Sequence, residues 1–302
     1  GLTIGPTGGI AVDAAMRTSD PHIFAVGDAV ETTHLVGGMP ALIPLAGPAN
    51  KQARIAADNI CGIESRYRGT LGTSIVKVFD LQAAATGLNE KTARKCAIPY
   101  RAIHIHPLSH AGYYPGAATL SLKLLFTAPE GKVLGAQCVG ADGADKRIDV
   151  IATAIRAGMT VHDLQQLDLA YAPPFGNAKD PVNMAGFVGG NILKGLVDSV
   201  TCDQLASLDD PLVVDVRTQK EYDAIRIPGS VHIPREELRE RIAELPKERH
   251  LVALCRTGVR SYAASRVLTQ AGYPRVSNLS GGMLSYCHYT GKPVPPEVQT
   301  GP

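Results

Sequence analysis

Between residues 200 and 297 short apolar runs alternate with amphipathic segments, and this alternation constrains the fold more than any other feature. Residues 212–216, 231–233, 251–255 and 276–278 read as strands. Residues 218–224, 236–245 and 259–271, the last stopping at Gly272, read as helices. Such alternation predicts an α/β sheet flanked by helices. Asp198-Ser199 and the turn-rich tail 291–296 bracket the block.

The preceding residues divide into two blocks. In 66–195, residues 74–79, 101–106, 119–126 and 133–139 read as strands, with a hairpin signal at Pro129-Glu130-Gly131-Lys132. Residues 144–157 follow as a helix with Ile148, Ile151 and Ile155 on one stripe, and Thr160 to Asp163 opens another with a capping-box pattern. Strands followed by helices predict an α+β module. In 1–65, residues 9–13 alternate as a short strand, the apolar run 23–28 reads as a buried parallel strand ending at Asp28, and 48–60 is an alanine-rich helix with Gly62 as its stop. One buried strand and one helix cannot close a doubly wound sheet, so this block needs partners.

At 302 residues the chain has room for two or three domains. Thirty basic against 28 acidic residues leave +2, too balanced for a nucleic-acid footprint. No apolar run reaches the ~20 residues of a membrane span, and residues 1–30 carry no secretory signal pattern. The six cysteines are far apart, with no C-x-x-C pair and no zinc spacing, so no metal site is expected and the location is expected to be cytoplasmic. His104, His106 and His110 read as a solvated face rather than a metal site.

The sharpest chemical signal is Cys255-Arg256-Thr257-Gly258-Val259-Arg260-Ser261, between an apolar strand and a helix. A strand feeding a tight loop into a helix points several backbone N–H groups at one spot, near the positive end of the helix dipole. With Arg256 and Arg260 added, Cys255 is expected to be largely thiolate. The same cradle suits a persulfide anion.

This loop resembles the C-x-x-x-x-R loop of rhodanese-type sulfurtransferases. Leu212-Val213-Val214-Asp215-Val216-Arg217 is similar to that family's strand with its D-x-R motif, residues 227–234 to its I-P-G stretch, and Leu279-Ser280-Gly281-Gly282 to its closing G-G. Arg226 stands where many members carry His. Cysteine phosphatases use a longer C-x5-R loop; four residues between Cys255 and Arg260 fit a sulfur atom better. The resemblance implies a persulfide on Cys255, held by Arg260 and by the loop of Arg256, Thr257, Gly258, Val259 and Ser261.

Residues 18–29, ending Ile23-Phe24-Ala25-Val26-Gly27-Asp28-Ala29, resemble the C-terminal FAD motif of pyridine nucleotide-disulfide oxidoreductases, and Leu45 to Arg54 resembles the helix that follows it. His110 to Gly116 and Tyr171 to Pro181 resemble two segments of that family's dimerisation domain. Motif order points to coenzyme A-disulfide reductases, related NADH oxidases and polysulfide reductases, some of which carry a rhodanese domain. The resemblance implies a Rossmann-type FAD-domain remnant at 1–65, an α+β dimerisation domain at 66–195 and a rhodanese-like α/β domain at 200–297. It further implies FAD contacts at Asp28, Pro48 and Ala49, coenzyme A contacts at Asn50, Tyr113 and Lys179, a catalytic Tyr171, NAD(P)H as reductant and a homodimer acting on a small disulfide, persulfide or polysulfide.

No G-x-G-x-x-G and no early redox cysteine is present. The chain is therefore expected to be the C-terminal portion of a longer polypeptide, to lack hydride transfer alone and to hold FAD weakly or not at all. The alternative is a free-standing sulfurtransferase on a dimerisation or docking platform. A binding module without chemistry survives if Cys255 is buried or unreactive.

Overall fold

The computed structural model describes residues 1–294; the end of the third block at 295–297, with Pro295 and Pro296 of the turn-rich tail, lies outside the described residues. Residues 1–65 hold a small sheet of β1 (Ile10–Ala11), β2 (Val30–Thr33) and β3 (Pro40–Leu42), with β1 parallel and β3 antiparallel to β2. Helix α1 (Ala46–Ile60) follows.

The strand expected over 23–28 does not form. Phe24 makes a single antiparallel bridge to Arg17, and Gly27–Ala29 winds into a 3-10 turn. A buried parallel strand needs hydrogen-bonded neighbours and helices over both faces. Among the described residues no strand pairs with this run in parallel, so its backbone hydrogen bonds stay local: Thr18 N–H donates to the Ile23 carbonyl and Ala25 N–H to that of Met16. The helix begins at Ala46, which makes Pro48 its third residue rather than its first. Proline is tolerated there because first-turn amides have no intrahelical acceptor.

The middle block is an antiparallel sheet. Its strands are β4 (Ser74–Val78), β5 (Leu81–Gly87), β6 (Arg101–Ile105), β7 (Ser121–Phe126) and β8 (Val133–Gly140), arranged β4-β5-β8-β7-β6. The hairpin expected at 129–132 joins β7 to β8. Helix α2 (Glu90–Lys95) starts from an Asn89 cap. Helices α3 (Ala144–Arg156), α4 (Val161–Gln166) and α5 (Pro181–Leu193) supply the core. Ile148, Ile151 and Ile155 of α3 pack with Ile103, Leu122, Leu124 and Phe126 of the sheet. The expected Thr160–Asp163 capping box is present. Gly186 lets α5 approach α4 closely: a Cβ there would lie 2.8 Å from the Val161 carbonyl oxygen. A buried Arg147–Asp180 ion pair (2.8 Å) ties α3 to the cap of α5, and Arg147 also donates to the Ser109 carbonyl.

The last block is a parallel sheet of β9 (Asp198–Val200), β10 (Pro211–Asp215), β11 (Val231–His232), β12 (His250–Leu254) and β13 (Val276–Leu279), ordered β11-β10-β12-β13-β9. Its helices are α6 (Cys202–Ser207), α7 (Gln219–Ala224), α8 (Leu238–Arg241), α9 (Val259–Gln270) and α10 (Gly282–Thr290). Side chains alternate between two cores. Leu212, Val214, Leu251 and Ala253 meet Leu238, Ala264 and Leu268, while Val213, Val252 and Leu254 meet Leu205, Met283 and Cys287. The D-x-R motif is a buried Asp215–Arg217 pair (2.6 Å) whose guanidinium also holds the Ile225 carbonyl (2.6 Å).

A tether of residues 194–197 joins α5 to β9. The two domains it links also meet through side chains: His104 N–H donates to Ser280 Oγ (2.8 Å), His106 Nε2 meets Ser285 Oγ (2.9 Å), and Arg94 pairs with Asp203 (3.3 Å). No helix among the described residues is long and apolar enough to cross a membrane.

Candidate active site

Cys255 follows β12 directly, and the chain turns through Arg256, Thr257 and Gly258 into α9. Gly258 sits at φ 97, a left-handed conformation that a Cβ would strain, and it is the N-cap of α9. Its N–H points at Cys255 Sγ from 3.1 Å, and Ser261 Oγ lies 3.3 Å from the same sulfur. The first turn of α9 holds no acidic residue and no side-chain cap, so its amides face the loop.

The loop is held from behind. The Cys255 carbonyl accepts from Met283 N–H (2.8 Å) and the Arg256 carbonyl from Leu284 N–H (3.1 Å), both at the start of α10. Gly282 permits this: a Cβ there would sit 2.3 Å from the Cys255 carbonyl oxygen, and its φ is 59. The closing G-G is thus a backbone-to-backbone contact that no side chain could share.

Arg260 makes a bidentate pair with Glu221 of α7 (2.8 and 2.6 Å). Burial alone would raise the Glu221 carboxyl, but hydrogen bonds from Arg260 and Thr218 outweigh it and bring the group down to about 2. The Arg260 guanidinium is held above its ordinary value by Glu221 first, with a smaller contribution from Cys255. Asn278 completes the constellation. Its Oδ1 accepts from Ser261 Oγ (2.6 Å) and its Nδ2 donates to the Gly258 carbonyl (3.0 Å). Glu221 and Asn278 were not singled out from sequence. The first was legible as the last residue of the Thr218-x-x-Glu221 capping box; the second had only its position before Leu279-Ser280-Gly281-Gly282. Cys255 itself is 1% exposed.

A cavity of about 260 Å³ opens beside the loop, between the last two domains. Thr257, Gly258, Val259 and Tyr262 line one side and Lys179 and Phe187 the other. The Lys179 ammonium stands 5.7 Å from the centre of the Phe187 ring. Lys179 is thus brought to the sulfur loop. Tyr113 and Tyr171 do not line this cavity; they meet each other, hydroxyl to hydroxyl, at 3.1 Å on the exposed surface.

The histidines are not the solvated face expected. His104 and His106 lie at the seam between the two domains, beside a cavity of about 520 Å³ shared with Glu90, Lys123, Asp203 and His288. Burial, with the nearby Lys123 charge, lowers His104 to about 4. Burial, then His288, His104 and Arg256, lowers His106 to about 3. Ser280 and Ser285, 176 and 179 positions further along the chain, cover them, a relation local sequence does not carry. Among the described residues no group of three or more His, Cys, Asp or Glu could hold a metal.

For a flavin, the residues present fit one end. Asp28 is exposed in the 3-10 turn, and Gly27 N–H is fixed to Gln52 of α1 (2.7 Å). A Cβ on Gly27 would meet Ala49 at 3.7 Å, which puts the turn beside the first turn of α1. That helix carries Pro48 and Ala49 and has no side-chain cap and no acidic residue in its first turn, so its amides can meet an electronegative ring edge. Asn50 is exposed on the same helix and donates to the Ala46 carbonyl (2.9 Å).

Comparison with known proteins places these features. Residues 1–94 match the pyridine nucleotide-disulphide oxidoreductase family, 73–181 its dimerisation domain and 201–288 the rhodanese-like domain. The chain belongs to the pyridine nucleotide-disulphide oxidoreductases and carries a rhodanese-like domain. Its particular combination is seen in two solved structures. Reduced CoADR-RHD of Bacillus anthracis is 48% identical with a TM-score of 0.90, covering 95% of this chain and 52% of that one. A NAD-dependent persulfide reductase from A. fulgidus is 43% identical with a TM-score of 0.86, covering 94% and 52%. Among curated proteins, the CoA-dependent NAD(P)H sulfur oxidoreductase of Pyrococcus furiosus is 41% identical over 182 residues, 60% of this chain and 41% of the relative. The coenzyme A disulfide reductase of Staphylococcus haemolyticus is 36% identical over 181 residues, 60% and 41%. The chain thus spans under half the length of these curated relatives and about half that of the two solved chains.

Proposed function

We propose that the chain is part of a flavin-dependent NAD(P)H-linked reductase of coenzyme A disulfide, persulfide or polysulfide, and that its rhodanese-like domain forms a persulfide on Cys255. The observation that carries this reading is the convergence of the Gly258 N–H and the Ser261 hydroxyl on Cys255 Sγ, beside the cavity that Lys179 also lines. Donors aimed at a sulfur stabilise its anion and make it a nucleophile. The thiolate attacks the outer sulfur of a donor such as thiosulfate. A new S–S bond forms to Cys255, the donor's S–S bond breaks, and its electron pair leaves on sulfite. An acceptor such as cyanide or a thiol then takes the terminal sulfur and returns the thiolate. The loop amides and Arg260 hold the persulfide charge, with Arg256, Thr257 and Val259 shaping the loop.

FAD, when bound, supplies electron transfer from NAD(P)H. Asp28 would hold ribose or ribityl hydroxyls, and the α1 start at Pro48 and Ala49 would face the ring. Asn50, Tyr113 and Lys179 are assigned to coenzyme A. Tyr171 is assigned as a proton donor to a leaving thiolate, and its bond to Tyr113 orients that hydroxyl. The match to a dimerisation domain supports a homodimer.

Cys255→Ser tests the central claim. It should abolish sulfur transfer from thiosulfate to cyanide, and unchanged turnover would sink the assignment. One observation favours a second reading, a docking module without chemistry: Cys255 is almost wholly covered. That reading holds if neither thiosulfate nor polysulfide adds sulfur to Cys255, as read by the mass of the intact chain.

A further inference from the structure

We propose that Asn278 is a positioning residue of the sulfur loop: its single amide brackets Gly258 and Ser261, two residues whose hydrogens meet Cys255 Sγ. This rests on the sulfurtransferase reading above and deepens it. The bracket is directional. Nδ2 donates to the Gly258 carbonyl at 3.0 Å, which fixes the amide orientation, since the reverse would set two oxygens against each other. Oδ1 then faces Ser261 Oγ at 2.6 Å and can only accept. The Ser261 hydroxyl therefore stands between two acceptors, Oδ1 at 2.6 Å and Sγ at 3.3 Å.

That arrangement suits both states of the sulfur. While Cys255 carries its proton, the S–H can donate to Ser261 Oγ and the hydroxyl to Asn278. When the thiolate forms, the hydroxyl proton is drawn toward Sγ and shared between Sγ and Oδ1, so the oxygen needs no displacement because Asn278 has already located it. Gly258 has a matching need. It has no side chain to pack and sits at φ 97, so the aim of its N–H depends on what holds its peptide plane. Asn278 holds that residue's carbonyl from β13, a strand paired on both sides, with β12 and β9. The bracket fixes donors before charge appears, the condition under which donors are most effective.

The test reads the sulfur directly, so it does not require turnover. Thiolate ultraviolet absorbance is titrated against pH in the full chain, as the difference from Cys255→Ala, which removes the signal of the other five thiols. Asn278→Ala weakens both donors and should move the midpoint upward by about one pH unit. Ser261→Ala should move it upward too, and the double variant should move it little beyond the larger single shift, because Asn278 acts partly through Ser261. Isosteric Asn278→Asp adds negative charge and should move it further; it carries the test if the alanine variant does not fold. The neighbouring charges, Arg256 in the loop, Arg260 on α9 and Glu221 on α7, are unchanged throughout. Ser277→Ala, which cuts a tie from β13 to Asp198, should lower stability without moving the midpoint. A midpoint unmoved in the Asn278 variants, or shifts that simply add, would overturn the proposal. Absence of sulfur transfer in the unaltered chain would instead overturn the sulfurtransferase reading.

Discussion

Replacing Glu221 by glutamine should test the electrostatics around the sulfur loop most sharply. The carboxylate is buried and accepts two hydrogen bonds from Arg260, the N–H of Thr218 and the Thr218 hydroxyl. Those bonds bring the group from its ordinary 4.5 to about 2 despite burial. A depression of that size corresponds to roughly 3 kcal/mol of folded-state stabilisation. Because the Arg260 side chain is 26% exposed, solvent screens part of it, and about 2 kcal/mol is expected. The sign follows from the direction of the shift. The unfolded carboxyl binds its proton more readily than the folded one, so the contribution is fully present above about 4.5. It is lost as pH falls from there through about 2. Urea unfolding of the native chain and of Glu221→Gln should therefore differ by about 2 kcal/mol at neutral pH, and the two curves should converge on acidification through that window. A difference that is the same at neutral pH and at pH 3 would refute the reasoning, because packing alone would then explain it. The same variant leaves Arg260 without a carboxylate. Its charge then falls more fully on Cys255, so the acid limb of sulfur transfer should move to lower pH.

Two further outcomes follow from the same geometry. Gly282→Ala would drive a Cβ to 2.3 Å from the Cys255 carbonyl oxygen at a φ of 59; sulfur transfer should fall at least about tenfold, with roughly 1–3 kcal/mol lost from stability. His104 and His106 are held neutral, at about 4 and about 3, so stability at the domain seam should be complete above about 6.5 and decline as pH falls from there toward 3. His106→Gln should flatten that decline, read as the difference in urea midpoint between pH 7 and pH 4, and an equally steep loss in the variant would contradict the assignment.

What could be read from sequence was what is local. The Cys255 loop, the Asp215–Arg217 pair and the Thr160 capping box each sit within a few residues, and the structure places each in the expected local element. The run 23–28 misled because a parallel strand is a property of its neighbours, and apolar sequence alone does not supply them. Strand β5, Leu81-Gln-Ala-Ala-Ala-Thr-Gly87, was missed because an alanine run carries no strand propensity; its pairing with β4 and β8 decides it. Helix α5 was hidden by Gly186, Gly189 and Gly190, which lower helix propensity yet allow contact with α4. His104 and His106 do face outward from their strand, but what covers them comes from the far end of the chain.

The way the sulfur loop is hung has a mechanical consequence. Its carbonyls rest on the start of α10, α10 rests through Ser285 on His106 just after β6, and Ser280 is pinned to the backbone of His104. The tether between the two domains is clasped as well, since Leu196 N–H donates to Asn191 and the Leu196 carbonyl accepts from Arg266. A swing of one domain away from the other would pull on the scaffold that aims donors at Cys255. On the proposed sulfurtransferase reading, sulfur leaving this site is therefore expected to travel on a small diffusing carrier rather than on a swinging domain.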